Sequence, residues 1–377
     1  MLALGMIVPV LPKLVEAFVG GDTARAARVL GVFGTVWALM QFLFSPLLGA
    51  LSDRFGRRPV VLLSNLGLGL DYVVTALAPT VAWLFVGRVI SGITAASFST
   101  ASAYVADVTP PERRAGSFGM LSAAFGRGFV LGPALGGVLG AVDPRLPFWV
   151  AAALSLANAS YGFFILPESL PRERRAPFSW QAANPIGSLE LLRSQAALLG
   201  LSGVHFLGNL AHEALPTTFV LYASHRYGWE ARGVGLSVAA VGLCSAMVGA
   251  WLVQPLVARL GERRVLLLGL GIGTIGFAMY GLASTPAMFW LAVPVWSLWA
   301  LNGPPMQSLM TRMVPASEQG QLQGALGSVR GIAFMLGPGI FTETFARAID
   351  VAPGAPFLLA SVLVAASGAV AWRVAPR

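Results

Sequence analysis

The sequence predicts an all-α integral membrane protein with twelve transmembrane helices, arranged as two six-helix halves related by pseudo-symmetry. Only 11% of its 377 residues are charged, whereas an ordinary soluble domain has about 25%. Long apolar runs follow one another along the whole chain, and glycines and prolines recur at one fixed spacing. Because a water-soluble protein of this length could not bury so much apolar surface, lipid is the solvent for most of the chain.

Twelve apolar runs are separated by short polar spacers. A hydrocarbon core of about 30 Å requires about 20 apolar residues per helix, so the runs leave no room for a large soluble domain. We number them as segments 1 to 12 in chain order. They cover residues 1–18, 29–51, 60–79, 82–106, 116–141, 147–166, 196–222, 233–258, 265–284, 287–311, 321–346 and 355–374.

The longest polar break divides the segments six and six. We expect an N-terminal half at 1–166, a cytoplasmic linker at 167–195 and a C-terminal half at 196–377. Residues 184–193 of the linker have the pattern of a short amphipathic helix on the membrane surface.

Six glycines and prolines of the first half recur 205 residues later. The pairs are Gly56 and Gly261, Pro110 and Pro315, Gly119 and Gly324, Gly126 and Gly331, Gly132 and Gly337, and Pro133 and Pro338. Halves with the same orientation imply a parallel repeat about an axis along the membrane normal, with a binding site near the midplane between them.

Basic residues in the loops predict the orientation of the chain. The termini and the loops after even-numbered segments hold 15 arginines, and the opposite loops hold 7 basic residues. The positive-inside rule therefore places both termini in the cytoplasm, in a multi-pass protein of the cell inner membrane. We name the two sides the arginine-rich face, which includes Arg57, and the arginine-poor face, which includes Lys13.

Composition excludes several classes of function. The single cysteine, Cys244, excludes an internal disulfide framework. The single lysine, Lys13, excludes a GxxxxGK[ST] phosphate loop and hence ATP hydrolysis by this chain. The net charge of +9 lies in the spacers, which favours membrane orientation over nucleic-acid binding. We expect no enzymatic chemistry, no cofactor, no resident metal and no obligate protein partner.

The spacer between segments 2 and 3 reads GALSDRFGRRP over residues 49–59. Its second glycine permits a tight turn, and Asp53 and Arg57 are close enough for an ion pair that Asp107, at the end of segment 4, can join. This pattern resembles motif A of the major facilitator superfamily, which implies that superfamily's twelve-helix fold. The resemblance also implies a gate of Asp53, Arg57, Arg58 and Asp107 that closes the cytoplasmic side when the cavity opens outward. A solvated basic loop is the alternative.

The second copy of this spacer differs in its charges. Ala258 stands at the position of Asp53, and Glu262 stands at the position of Arg57. We expect the gate chemistry to be lost there, so that the cytoplasmic gate is asymmetric.

Segment 5 carries a closely spaced set of small residues, Gly128, Gly132, Pro133, Gly136 and Gly137. Small residues four apart let helix backbones approach closely, and a proline frees a carbonyl and bends the helix. The pattern is similar to motif C, the antiporter motif of the same superfamily, which implies export rather than import. Ordinary helix packing is the alternative.

Two ionisable residues lie inside apolar segments of the first half. Asp71 stands in the glycine-rich run of segment 3, where apolar surroundings let a carboxylate change its protonation within the working pH range. Arg88, in segment 4, must face water or a partner because an arginine is unfavourable in lipid. Its surroundings are similar to motif B, which implies a role in proton coupling. We expect both residues to couple protons to transport, and a structural ion pair between them is the alternative.

In the second half, Glu213 is the acid nearest the centre and the next candidate for proton coupling, with exposure at the outer mouth as the alternative. Candidates for lining the substrate cavity are Gln41, Arg127, Asn209, His212 and Arg330. The two arginines can bind an anionic group or balance Asp71, Glu213 and Glu343, and structural pairing is equally compatible with the sequence.

Short stretches along the whole chain, densest over residues 30–140, resemble the tetracycline/proton antiporters of this superfamily. They include residues 52–60 and 70–72, and 226–229 in the second half. Those pumps carry a histidine in segment 8 and an aspartate in segment 9. The corresponding stretches here, around Gly242 and Gly271, hold neither, so the second-half site is rebuilt or absent.

The resemblance implies proton-coupled efflux of a hydrophobic drug, tetracyclines first, by alternating access. The partners are then the drug, protons and the lipid bilayer, and a tetracycline can arrive as a chelate with a divalent metal. An exporter of another small solute, such as a sugar or metabolite, is one alternative. A non-transporting receptor or scaffold on the same fold is the other.

Segment 1 is short. Only twelve residues precede Lys13, which gives about 18 Å of helix against about 30 Å of hydrocarbon. The tetracycline pumps, aligned through residues 9–12, have a membrane-embedded aspartate just before the position of Met1. We therefore expect a truncated first helix and a natural protein with roughly fifteen more residues.

Overall fold

Helices make up most of the chain, and no strand occurs in the residues that the structure describes. The structure is a computed structural model that describes residues 2–95, 98–110, 113–175, 191–315 and 318–375. The predicted all-α fold is confirmed, and each of the twelve predicted segments corresponds to one helix or to consecutive helices joined by a break.

The helices of the first six segments are Leu2–Ile7 and Leu11–Phe18, Thr23–Phe55, Arg57–Leu77, Val81–Ala95 and Phe98–Val108, Arg114–Val142, and Leu146–Ile165. Those of the last six are Ala196–His212 and Ala214–Tyr227, Ala231–Met247 and Val253–Leu260, Glu262–Leu282, Pro286–Ser297 and Gly303–Thr311, Gln319–Ala348, and Ala355–Val374. A π-helical turn, Val248–Leu252, lies within segment 8, and a 3₁₀ turn, Leu298–Asn302, lies within segment 10.

Seven of the described helices are long and apolar enough to cross a membrane, when segment 8 is taken as one helix. They belong to segments 2, 3, 6, 8, 9, 11 and 12. Segments 4 and 5 add the shorter apolar helices Val81–Thr94 and Gly126–Val142. The protein is therefore a multi-pass membrane protein. Most of the linker, residues 176–190, lies outside the described residues, and with it the greater part of the amphipathic helix expected there.

Prolines explain the breaks in segments 1 and 7. Pro12 lacks the N–H that would bond the carbonyl of Val8, where segment 1 is interrupted. Pro216 likewise lacks the N–H that would bond the carbonyl of His212, and segment 7 is interrupted at the next residue, Glu213. The break places an acidic side chain at a kink inside the bundle.

The two predicted halves touch through segments 1 and 7, 2 and 7, 2 and 11, and 5 and 8. Two polar contacts between them lie near the arginine-poor face. The Lys13 ammonium donates a hydrogen bond to the Ser224 hydroxyl. The Arg28 guanidinium lies 3.1 Å from the Glu343 carboxylate.

Segments 2 and 11 separate toward the arginine-rich face. Close to the other face, a Cβ at Gly34 would stand 2.7 Å from Pro338. Further along the same segments, a Cβ at Gly49 or Gly327 would meet nothing within 4 Å. Segments 5 and 8 behave alike, since Gly137 lies against Gly235 whereas Gly126 faces open space. The halves are thus joined at the arginine-poor face and apart at the other.

Candidate transport site and gates

Asp71 and Arg88 form an ion pair inside the N-terminal half. The Arg88 Nη2 atom donates to Asp71 Oδ2 at 3.4 Å, and the Thr75 hydroxyl donates to Oδ1 at 3.4 Å. Asp71 is fully buried, and Arg88 is only 8% exposed. Segment 4 approaches the carboxylate at Gly87, where a Cβ would stand 2.6 Å from Oδ1. Each buried charge needs a partner in these apolar surroundings, and Asp71 and Arg88 are each other's partner.

Asp71 lies on the arginine-poor side of the middle of segment 3, six positions before the last helical residue, Leu77. Arg88 Nε is buried without a hydrogen-bond partner among the described residues. Protonation of Asp71 would leave the guanidinium without a counter-charge, which is strongly unfavourable in a buried site. A proton at Asp71 would therefore remove the charge pairing between segments 3 and 4.

Glu213, at the break in segment 7, packs against segment 11. A Cβ at Gly337 would stand 2.5 Å from Glu213 Cβ, so this position of segment 11 has no room for a larger side chain. The Arg330 guanidinium, on the same segment, is within electrostatic range of Glu213, His205 and His212. Segments 7 and 11 thus bring one acid, one arginine and two histidines together.

The His212 ring packs against two buried tryptophans of segment 10, Trp296 and Trp299. Its ring stacks on Trp299 with 5.8 Å between centroids and 27° between planes, and it lies 6.2 Å from Trp296. His212 is exposed, whereas Trp296 and Trp299 are 5% and 7% exposed. The indole N–H groups of both tryptophans have no partner among the described residues. A flat ring can stack on such a surface.

The same tryptophans pack closely against two glycines of segment 9. A Cβ at Gly273 would overlap the indole of Trp299, and a Cβ at Gly276 would stand 2.6 Å from the backbone of Trp296. Segment 10 therefore leaves no room for a side chain at these two positions, whereas a Cβ at Gly271 would meet nothing within 4 Å.

Segment 5 uses its small residues to contact two neighbouring helices. Gly132 lies against Gly5, and a Cβ at Gly136 would overlap the carbonyl oxygen of Met6. On its other side, Gly137 packs against Gly235 of segment 8. The close backbone approach expected from these glycines is observed, both within the N-terminal half and between the halves.

The gate residues of the first half form one cluster on the arginine-rich face. The Arg57 guanidinium pairs with Asp53, and its Nε atom lies 3.2 Å from Asp107 Oδ2. Glu168, at the start of the linker, accepts the backbone N–H of Arg57 at 2.9 Å. The Arg58 backbone N–H also donates to Glu168 at 3.3 Å, whereas its guanidinium donates to the Phe163 carbonyl.

The second copy of the spacer also holds an ion pair. Glu262 lies 2.8 Å from Arg312, at the end of segment 10, and accepts a hydrogen bond from the Ser308 hydroxyl at 2.7 Å. This partner lies 50 residues further along the chain, outside the spacer, and the expected asymmetry of the gate stays a prediction.

The remaining cavity candidates are dispersed. Arg127 is exposed and forms no ion pair with a described residue. Gln41 is half-buried on segment 2, and the Asn209 amide donates to the His205 carbonyl at 2.8 Å within segment 7. Arg127 and Arg330 do not balance Asp71 or Glu343, because Asp71 pairs with Arg88 and Glu343 with Arg28 and Arg347.

A groove of about 300 Å³ lies between segments 2 and 11 at the arginine-poor face, bordered by Arg28 and Glu343. It includes none of the candidate residues for proton coupling. Among the described residues, no group of three or more His, Cys, Asp or Glu side chains is placed to hold a metal ion.

The sequence did not single out two members of these clusters, His205 and Glu168. His205 lies one turn before Asn209 and two turns before His212 on segment 7, so the spacing i, i+4, i+7 would have indicated one face. Glu168 gave no such signal, because it stands more than a hundred residues from the turn that it caps.

Spanning helices in two halves, one buried ion pair between segments 3 and 4, and contact between the halves at one face are features of a membrane transporter. The chain belongs to the major facilitator superfamily, because the family model described as "Major Facilitator Superfamily" matches residues 1–338. The predicted resemblance is therefore confirmed.

Relatives agree with this class. The class C tetracycline resistance protein of Escherichia coli is 37% identical over 363 residues, which is 96% of this chain and 90% of that protein. The human organic anion transporter MFSD10 (TETRAN) is 25% identical with a TM-score of 0.71, over 98% of this chain and 95% of that one. The nucleoside transporter NupG shares the fold at 14% identity and a TM-score of 0.76, over 99% of this chain and 95% of that one. The chain is a membrane transporter of small molecules, not an enzyme, and the expected twelve-helix fold is that of its superfamily.

Proposed function

We propose that this transporter exports a tetracycline-class drug in exchange for protons across the cell inner membrane, with both termini in the cytoplasm. The buried Asp71–Arg88 pair carries this proposal, and the similarity to tetracycline resistance proteins supports it. The proton gradient supplies the energy, and a divalent metal enters only as part of a chelated substrate.

The open arginine-rich face corresponds to the state that loads drug from the cytoplasm. In that state Asp71 is ionised and bound to Arg88. After the halves rock to open the arginine-poor face, a proton from outside neutralises Asp71 and the drug leaves. The protonated form returns, and release of the proton to the cytoplasm restores the ion pair.

The C-terminal cluster supplies the contacts to the drug. His212 presents an exposed ring backed by Trp299 for a flat polycyclic substrate, and Arg330 and Glu213 offer one cation and one acid beside it. Glu213 is the second proton-coupling candidate, because a change in its charge alters the balance with Arg330.

Inverted membrane vesicles test the proposal. With an imposed proton gradient, vesicles that contain the protein should accumulate labelled tetracycline supplied with Mg²⁺, and a protonophore should abolish the uptake. His212→Ala should weaken tetracycline binding, whereas His225→Ala, near the arginine-poor end of segment 7, should not. Accumulation that equals that of empty vesicles would contradict the proposal.

Export of an organic anion is the second candidate, because Arg127 and Arg330 are exposed side chains inside spanning helices. An anion that binds Arg330 would compete with Glu213 for its positive charge, because the two residues are within electrostatic range. Proton movement driven by each compound separates the two candidates. Under this alternative a flat organic anion, and not tetracycline, should drive proton movement in the same vesicles.

A further inference from the structure

The groove between segments 2 and 11 opens to the bilayer near the arginine-poor face, and we call it the lateral groove. Arg28 and Glu343 form its mouth, and Val32 and Val36 line it on segment 2. Val32 is 53% exposed and lies within the apolar run 29–51. Because the halves are joined at this face, that exposed surface faces lipid and not the interior of the bundle.

Two arginines at the mouth of the lateral groove share one carboxylate. Glu343 lies 3.1 Å from Arg28 of segment 2 and 2.7 Å from Arg347, one turn further along segment 11. Both guanidiniums use their Nε atoms for this contact, and their Nη groups donate to no described residue. The two side chains are 53% and 76% exposed, so these Nη donors are accessible to a ligand.

The other acids at this end of segments 2 and 11 do not neutralise the second arginine. Asp22 caps segment 2 by accepting the backbone N–H of Arg25 at 2.9 Å. Asp350, beyond the end of segment 11, forms no ion pair in the part of the chain that the structure describes. The ion-paired group at the mouth therefore carries a net positive charge.

A phosphate diester matches this positively charged mouth. Planar guanidinium groups bind phosphate oxygens through two parallel N–H donors, and basic residues in pockets between membrane helices bind phospholipid headgroups. Arg28 stands directly before the apolar run of segment 2, at the depth where headgroups meet hydrocarbon. Val32 and Val36 follow one and two turns deeper, at the depth of an acyl chain attached to that phosphate.

We propose that the lateral groove binds one membrane phospholipid, whose phosphate contacts Arg28 and Arg347 and whose acyl chain lies along the groove. Both halves contribute to this site, so it exists only while they are joined at the arginine-poor face. A ligand that binds one of two states shifts the equilibrium toward that state. The lipid therefore stabilises the state in which the arginine-rich face is open. This regulation rests on the proposed function only in assuming alternating access, and it requires no particular substrate.

Fluorescence quenching measures lipid binding to the full chain, purified in detergent. A fluorophore is attached to Ile340→Cys, an exposed position beside the groove on segment 11, in a Cys244→Ser background. Phosphatidylglycerol with brominated acyl chains should quench it saturably, whereas diacylglycerol with the same chains lacks the phosphate and should not. A fluorophore at Leu291→Cys, an exposed position of segment 10 near the same face, is the control and should show no saturable quenching.

Arg347→Gln should raise the lipid concentration needed for half-maximal quenching about tenfold, as expected when a hydrogen bond between charged groups is lost. Arg347 pairs with Glu343 of its own helix, so this variant leaves the contact between Arg28 and Glu343 in place. Arg232→Gln is the matched control, because Arg232 is an exposed arginine at the same face on segment 8. This variant should bind the lipid normally.

Distance measurements test the regulation. Spin labels at Phe55→Cys and Leu260→Cys, exposed positions at the arginine-rich ends of segments 2 and 8, report whether that face is open. Added phosphatidylglycerol should increase the long-distance population in the Cys244→Ser background, and Arg347→Gln should reduce this response. Saturable lipid binding that leaves the populations unchanged would overturn the proposed regulation.

Three results would assign the groove to another occupant. Equal quenching by diacylglycerol would show that it takes any apolar chain, and displacement of the lipid by the same concentration of inorganic phosphate would show a site for free anions. A disulfide between the Ile340→Cys residues of two molecules, in place of saturable quenching, would show that a second copy covers it. Each result would overturn the lipid site, as would unchanged binding by Arg347→Gln.

The two proposals fail separately. Saturable lipid binding by a protein that transports no tetracycline keeps the lipid site and loses the proposed substrate. Proton-driven transport of tetracycline without saturable lipid binding keeps the function and loses this site.

Discussion

At the scale of single residues, the Asp71 carboxylate depends on one guanidinium for its counter-charge. Removing one member of a buried ion pair is typically unfavourable by about 3–5 kcal/mol, whereas replacing both members with apolar groups is often neutral. Stability and proton coupling therefore respond differently to substitutions at this pair, and the difference separates a functional acid from a structural one.

Asp71→Asn should abolish drug-driven proton movement in inverted vesicles, because the amide has nearly the same shape but cannot accept a proton at working pH. A pH-sensitive dye inside the vesicles reports the movement. Asp143→Asn, in the loop after segment 5, is the matched control and should retain it. Normal coupling in Asp71→Asn would move the role to Glu213.

Arg88→Met should lower the free energy of unfolding by about 3–5 kcal/mol, because it leaves Asp71 as an uncompensated buried charge. The double variant Asp71→Leu/Arg88→Met should recover most of this loss while remaining unable to couple protons. Thermal unfolding of purified protein in detergent measures the stability. Equal destabilisation in both variants would show that packing, and not charge pairing, holds segments 3 and 4 together.

At the scale of helices, segment 5 is defined by backbone contact on two sides. Segment 1 touches it through Gly5 and Met6, and segment 8 touches it through Gly235. A glycine has no side-chain rotamers, so it loses no side-chain conformational entropy in such a contact. The helices therefore approach closely without ordering any flexible side chain.

Gly136→Val should disrupt the contact with segment 1, because even a Cβ at this position overlaps the Met6 carbonyl. Overpacking of this kind typically lowers stability by about 1–3 kcal/mol. Gly126→Val, on the same helix, adds the same atoms into open space and should be tolerated. Stability in detergent and the amount of protein in the membrane measure both effects, and equal losses would contradict the packing role.

The helices and several of their interruptions follow from the sequence, whereas contacts between distant helices do not. Apolar length predicts a helix at residues 29–51, and the observed Thr23–Phe55 extends beyond this apolar run at both ends. The break at Glu213 has a cause in Pro216, and the π turn Val248–Leu252 has one in Pro255, which lacks the N–H that would bond the carbonyl of Trp251. Periodicity describes one helix at a time, so it could not reveal that Trp299 leaves no room for a side chain at Gly273.

The same limit applies to charged partners, because spacing along one helix predicts only ion pairs between residues that are close in sequence. Arg57 and Asp53 lie one turn apart, and their pairing is predictable from helical spacing alone. Arg312 lies 50 residues from Glu262, so nothing in the local spacing indicates their contact. The fixed offset of the repeat supplies the missing information, because it transfers the Arg57–Asp107 pair onto these two positions.

At the scale of the whole molecule, the halves are joined at one face by two polar contacts and by glycine-lined helix crossings. A transporter that alternates must break the Arg28–Glu343 and Lys13–Ser224 contacts to open the arginine-poor face. Exposed ion pairs are worth only about 0–1 kcal/mol, which suits a contact that forms and breaks in every cycle.

Joining Arg28→Cys to Glu343→Cys with a short bifunctional reagent, in a Cys244→Ser background, should stop transport by holding the arginine-poor face shut. Cleavage of a reducible linker should restore it. The pair Glu343→Cys and Arg347→Cys, one turn apart on a single helix, is the control and should remain active after the same treatment. Continued transport by the cross-linked Arg28–Glu343 pair would show that this face does not open.

The repeat gives the two halves opposite charges at the arginine-rich face, because Arg57 and Arg113 have Glu262 and Glu318 as their counterparts 205 residues later. A half expressed as a separate chain could pair with a second copy of itself, as a symmetric homodimer of six-helix units. Two N-terminal halves would then bring Arg57 and Arg113 to one face, and two C-terminal halves would bring Glu262 and Glu318 there. Like charges brought together are unfavourable, so this face favours the pairing of unlike halves.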